Sequence, residues 1–129
     1  MAAQSYDERE PQRMMDMRIS HRETDSGVTV IEVTGRVMLG DASQRIETVL
    51  DELLAEGKRN FVFELSGVRY MDSTGIGRFI AALNKVMQAG GKLRMAGATG
   101  VVREGFRVTR LDTVFQFYPD VDSACEGLS

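Results

Sequence analysis

One cysteine, one histidine, two prolines and no tryptophan stand in a chain of 129 residues. The lone Cys125 excludes an internal disulfide framework and any cysteine-rich zinc site. It reads as a half-buried small residue. His21 has no second histidine or cysteine at ligand spacing, so a metal centre or catalytic triad lacks its parts, and His21 reads as a polar residue at a strand edge. No apolar run approaches the roughly 18 residues that a membrane span needs. An excess of positive charge is also missing. Sixteen Lys and Arg face 19 Asp and Glu, for a net charge of −3, which excludes a dedicated nucleic-acid binder with its basic surface. The first 16 residues carry Asp7, Glu8, Arg9, Glu10, Arg13 and Asp16 and hold no apolar signal-peptide core. The expected compartment is therefore the cytoplasm, with no direct membrane insertion. What is present is ordinary for one globular domain: 43% hydrophobic and 27% charged residues.

Residues 1–15 are polar, contain Pro11 and follow neither helical nor strand periodicity, so a disordered tail is expected there and a single domain over 16–129. Met17, Ile19 and His21 alternate with Arg18, Ser20 and Arg22, as in a half-buried strand. Asp25-Ser26-Gly27 signals a turn, and Val28 to Thr34 a second strand, giving an antiparallel hairpin. Arg36 to Leu39 continues extended. Asp41 and Gln44 have the spacing of a capping box. Ala42, Ile46, Val49, Leu50, Leu53 and Leu54 then share one helical face up to Gly57.

Phe61 to Leu65 reads as a central strand and Lys92 to Ala96 as another. Between them a helix begins at Ser73, with Ile76, Phe79, Ile80, Leu83, Val86 and Met87 on its core face, and stops at Gly90-Gly91. A short helix over Val101–Val108, a strand over Val114–Tyr118 and a last helix over Asp120–Leu128 complete the pattern. The order predicts an α/β fold: a mixed β-sheet opened by an antiparallel hairpin and covered by about four helices.

The segment FVFELSGVRYMDSTGIG, residues 61–77, carries the most information. A buried strand passes through a short loop into Asp72-Ser73-Thr74-Gly75, where a helix starts. In one reading Asp72 or Ser73 is simply the N-cap. In the other the loop displays a hydroxyl at a helix N-terminus, where free N–H groups favour an anion. A phosphate on Ser73 would add about −1.5 to −2 charges beside Asp72, with Arg69 and Arg78 near in sequence. A partner docked there would feel that change more than the fold would. Enzyme motifs fail: Gly91-Lys92 lacks the earlier glycine of a P-loop, and the segment is neither a G-x-S-x-G elbow nor an aspartic-protease triplet.

Tyr70-Met71-Asp72-Ser73-Thr74-Gly75-Ile76-Gly77 closely resembles the signature of bacterial anti-sigma factor antagonists, the STAS domain family. The likeness extends over about residues 17–129 through Thr34-Gly35, the helix from Asp41, Gly90-Gly91-Lys92 and Leu111 to Phe117. It implies a STAS-type domain without cofactor or metal, not an enzyme, and either monomeric or weakly dimeric. Such a domain binds an anti-sigma factor serine kinase, is released when that kinase phosphorylates it, and is restored by a PP2C-type phosphatase. Carried onto this sequence, the phosphoacceptor is Ser73, with Asp72 orienting the loop. The partner-binding set comprises Asp72, Thr74, Gly75, Ile76 and Gly77, the two glycines letting a partner backbone approach, with Met71, Met38 and Asp41 beside them. The chain departs from the family in one place. Many members carry an acid shortly after the Thr-Gly, whereas here Arg36-Val37-Met38-Leu39-Gly40 intervenes before Asp41. The resemblance also leaves an alternative, a constitutive adaptor in a signalling or transporter-associated complex. Lys92, Arg94, Arg103, Arg107 and Arg110 form a basic stretch that reads as a solvated face, the alternative being a basic face for an acidic partner or for phosphate-bearing ligands or lipid headgroups.

Overall fold

The computed structural model describes residues 17–128; the tail expected at 1–15 lies outside the described residues. Strands β1 (Arg18–Glu23) and β2 (Thr29–Val37) form the antiparallel hairpin. There follow α1 (Asp41–Ala55), β3 (Asn60–Met71), α2 (Ser73–Gln88), β4 (Lys92–Ala96), α3 (Gly100–Val108), β5 (Phe117–Tyr118) and α4 (Val121–Cys125). The sheet runs β1-β2-β3-β4-β5, with every pair after the hairpin parallel. Each parallel crossover steps the same way, and right-handed connections therefore put α1, α2 and α3 on one face. The core confirms this. Ile31, Val33, Phe61, Phe63 and Met95 of the strands pack with Ile46 and Leu50 of α1, Phe79 and Val86 of α2, and Phe106 of α3. Phe106 is the hub of an aromatic cluster, edge-on to Phe115 and Phe117 at 5.2 and 5.4 Å between ring centres. The alternate residues Val28, Val30, Val62 and Ala96 point to the opposite face, where Ala124 of α4 and Leu128 cover them.

The mixed sheet with four helices among the described residues is the expected architecture, and the details differ in instructive places. β1 is an edge strand, so Met17 is buried, Ile19 half-buried and His21 exposed. β3 does not end at Leu65 but continues through the supposed loop to Met71. It does so with two bulges: Glu32 and Thr34 of β2 pair with Glu64 and Gly67, and Gly35 and Arg36 with Val68 and Tyr70. Gly67 gives room at the first, because a Cβ there would lie 2.6 Å from Thr34 Cγ2 and would force that side chain to shift. The capping box on α1 does not form. Gly40 is the N-cap without a side-chain bond, Asp41 is the first helical residue, and Ser43 Oγ donates back to the Gly40 carbonyl. Met87, expected in the core, is 63% exposed, since the Val86 side of α2 fills that position. The strand expected from Val114 shrinks to Phe117–Tyr118, because the amides of Val114 and Phe115 turn back to the Leu111 carbonyl. The last helix is likewise shortened to Val121–Cys125, capped by Asp120, which accepts from the Ser123 amide at 2.8 Å.

Candidate functional site around Ser73

The parallel strands β2 and β3 end side by side, with Val37 opposite Met71 in register. The chain must leave both strands at the same edge, and this edge carries the signature. The Asp72 amide donates to the Val37 carbonyl at 3.2 Å, closing the end of the ladder. α2 starts one residue later. Asp72 is its N-cap: Oδ1 accepts from the Gly75 amide at 2.8 Å. Oδ2 accepts from the Leu39 amide at 3.1 Å, across the β2–α1 loop. Burial works against the charge on Asp72, yet the N–H groups of Gly75, Leu39 and Thr74 outweigh it together and hold the carboxyl below its ordinary range.

Ser73 is the first residue of α2 and is exposed. Because Asp72 supplies the cap, the Ser73 hydroxyl is released from that duty, and it has no hydrogen-bond partner among the described residues. The rest of the signature divides by burial. Gly75 and Ile76 are buried. A Cβ at Gly75 would lie 2.1 Å from the Val37 carbonyl oxygen, so this glycine serves the packing of α2 on β2. This packing accounts for the glycine without invoking the partner backbone it was expected to admit. Gly77 is exposed with nothing within 4 Å of a Cβ placed on it, so it is open to close approach. Thr74 and Met71 are half-buried, and Met71 reaches towards Gly105 of α3. On the neighbouring loop Met38 is half-buried and Leu39, which sequence reasoning passed over, 74% exposed, and Asp41 at the start of α1 is exposed. The only hint of Leu39 in the sequence was an apolar residue beside a glycine.

The nearby cations are not gathered around Ser73. Arg78 turns to α1, donating from Nε to Ser43 Oγ at 3.1 Å and pairing with Glu47 at 3.4 Å. Arg69 is exposed, and Arg36 stacks on Tyr70 at 4.8 Å. The basic stretch further on is similarly dispersed. Arg94 holds the Ala124 and Glu126 carbonyls, Arg103 lies over the Phe117 ring, and Arg107 pairs with Glu104. A groove of about 430 Å³ lies away from the signature, lined by Arg18, Ile19, Ser20, Glu32, Thr34 and Arg45. Among the described residues no cluster of three His, Cys, Asp or Glu is placed to hold a metal, and no helix is long and apolar enough to cross a membrane. Burial pushes the Cys125 thiol up, away from the thiolate that reactivity needs.

A five-stranded sheet of this order, with an exposed serine at the start of its second helix, defines a small α/β domain of one recognisable fold. The chain belongs to the STAS domain family, whose model matches residues 21–124. It is 33% identical over 66 residues to an anti-sigma-B factor antagonist of Staphylococcus aureus (strain NCTC 8325 / PS 47), an alignment covering 51% of this chain and 61% of that protein. The match thus spans less than two thirds of the relative's length. Among solved structures, an anti-sigma factor antagonist from Mycobacterium paratuberculosis superposes with a TM-score of 0.73 at 23% identity, over 88% of this chain and 94% of that one. A sulfate transporter family protein from Wolinella succinogenes superposes with a TM-score of 0.69 at 19% identity, over 80% and 85%. These two likenesses are of fold.

Proposed function

We propose that this STAS domain, spanning residues 16–129, is an anti-sigma factor antagonist gated by phosphorylation of Ser73. Unmodified, it docks and sequesters a serine-kinase anti-sigma factor in the cytoplasm; phosphorylated by that kinase it lets go, and a PP2C-type phosphatase resets it. The observation that carries this reading is the division of labour at the start of α2. Asp72 caps the helix, and the neighbouring Ser73 hydroxyl is left exposed with no structural bond to lose. A phosphoryl group there brings about −1.5 to −2 charges to a rim that carries an exposed Leu39 and an open Gly77. Burying that charge in an interface without a partner is costly, whereas the solvated helix end tolerates it. The docking surface in this reading is made by Ser73, Gly77, Met38, Leu39 and Asp41, with Thr74 and Met71 at its margin. Asp72, Gly75 and Ile76 hold its shape.

The test is capture of the kinase from the host with full-length variants. Ser73→Ala retains the partner whatever the growth condition, and Ser73→Glu binds it at least about tenfold more weakly, a difference of about 1.4 kcal/mol. Equal capture by Ser73→Ala, Ser73→Glu and the unmodified chain contradicts the gate and favours a constitutive adaptor.

A further inference from the structure

We infer that Asp72 is a positioning residue that ties the Ser73 end of α2 to the β2–α1 loop, so that charge placed on Ser73 is transmitted to Leu39; the inference rests on the reading of Ser73 as the regulated hydroxyl. One carboxylate serves two elements. Its Oδ1 takes the Gly75 amide inside α2 at 2.8 Å, and its Oδ2 takes the Leu39 amide, 33 residues earlier in the chain, at 3.1 Å. The loop so held is short, and its far end is fixed separately by Ser43 Oγ, which donates to the Gly40 carbonyl at 3.2 Å. Gly40 sits at φ +139°, and the N-terminus of α1 has no side-chain cap. The Leu39 side chain projects from this loop 74% exposed. Both oxygens of Asp72 are thus occupied within the fold, which leaves the carboxylate a structural tie.

Phosphoserine at 73 puts a dianion with three acceptor oxygens one residue from that carboxylate. It repels the carboxylate and contends for the same first-turn amides. Of the two bonds the one to Leu39 is the longer, and it is the one made outside the helix, so it yields first. Phosphorylation therefore changes two places on the docking rim at once: the hydroxyl that gains charge, and the apolar loop that loses its tie.

Asparagine separates the two bonds. Its side-chain oxygen still caps Gly75, and Asn is as good an N-cap as Asp, but a single amide oxygen cannot also replace the second carboxylate oxygen at Leu39. The experiment is amide hydrogen exchange by NMR on the full chain. In Asp72→Asn the Leu39 amide exchanges about fivefold faster or more, the scale of one hydrogen bond, while Gly75 stays within about twofold. Phosphoserine installed at 73 during translation produces the same acceleration at Leu39 in the wild type and none further in Asp72→Asn. Asp72→Ser, which can cap but cannot reach Leu39, behaves as Asp72→Asn and covers the case where that variant folds poorly. A Leu39 amide unchanged by Asp72→Asn and Asp72→Ser, or unchanged by phosphoserine, overturns the inference. These readouts involve no partner, so they can fail while kinase capture by Ser73→Ala succeeds, and the reverse.

Discussion

Two glycines in the signature, two residues apart, do opposite work. Gly75 lies under the Val37 carbonyl, where a Cβ would have 2.1 Å, while Gly77 faces open space. Gly75→Ala must push α2 off the end of β2, and it should lower stability by about 1–3 kcal/mol or more. Gly77→Ala gains helix propensity and should raise stability by up to about 1 kcal/mol. The urea midpoint of each variant checks both, and Gly77→Ala should weaken partner capture despite the firmer fold. Asp72 makes a third case at this scale. Its carboxyl is held below the ordinary range, so the stability it contributes is complete above the unfolded value of about 4 and is lost as pH falls through the lower folded value. The stability advantage of the wild type over Asp72→Asn should accordingly shrink from pH 7 towards pH 2, read as converging urea midpoints; a constant gap contradicts it. Asp72→Ala, which loses the cap as well, should cost about 1 kcal/mol more than Asp72→Asn at pH 7.

At the scale of elements, helix ends show how much of the structure was legible. Ser73 as the start of α2 and Gly90-Gly91 as its stop could be read because caps and left-handed glycines are local devices, and the structure places both there. Asp41 misled because its spacing to Gln44 is also local, yet the loop from Val37 turns through Gly40 and puts Asp41 inside the helix. The extension of β3 to Met71 was hidden for a different reason. Its bulges answer to β2, and Ser66-Gly67 looks like a turn until Thr34 is known to lie beside Gly67. α3 ends on Arg110 at φ +62°, a left-handed residue that is not glycine, with the Leu111 amide closing on the Phe106 carbonyl. Arg110→Gly should therefore stabilise the domain by about 1 kcal/mol, measurable in the thermal midpoint. Phe106→Ala, which removes the hub of the aromatic cluster, should cost about 3–5 kcal/mol.

At the scale of the molecule, the sheet separates support from display. Three helices bury one face, α4 closes part of the other, and the carboxyl edge of β2 and β3 is left to carry Leu39, Asp72 and Ser73. The hydroxyl at that edge was legible as eight consecutive residues. The Asp72–Leu39 bond was not, because one partner is a backbone amide 33 residues away that any residue but proline would supply. The most direct test of the account is intact-mass analysis of the protein purified from its own host, with the modified residue mapped by fragmentation. The account predicts a population heavier by one phosphoryl group, located on Ser73, which grows when the phosphatase is inhibited. A chain unphosphorylated at Ser73 under every growth condition, even with the phosphatase blocked, would contradict it.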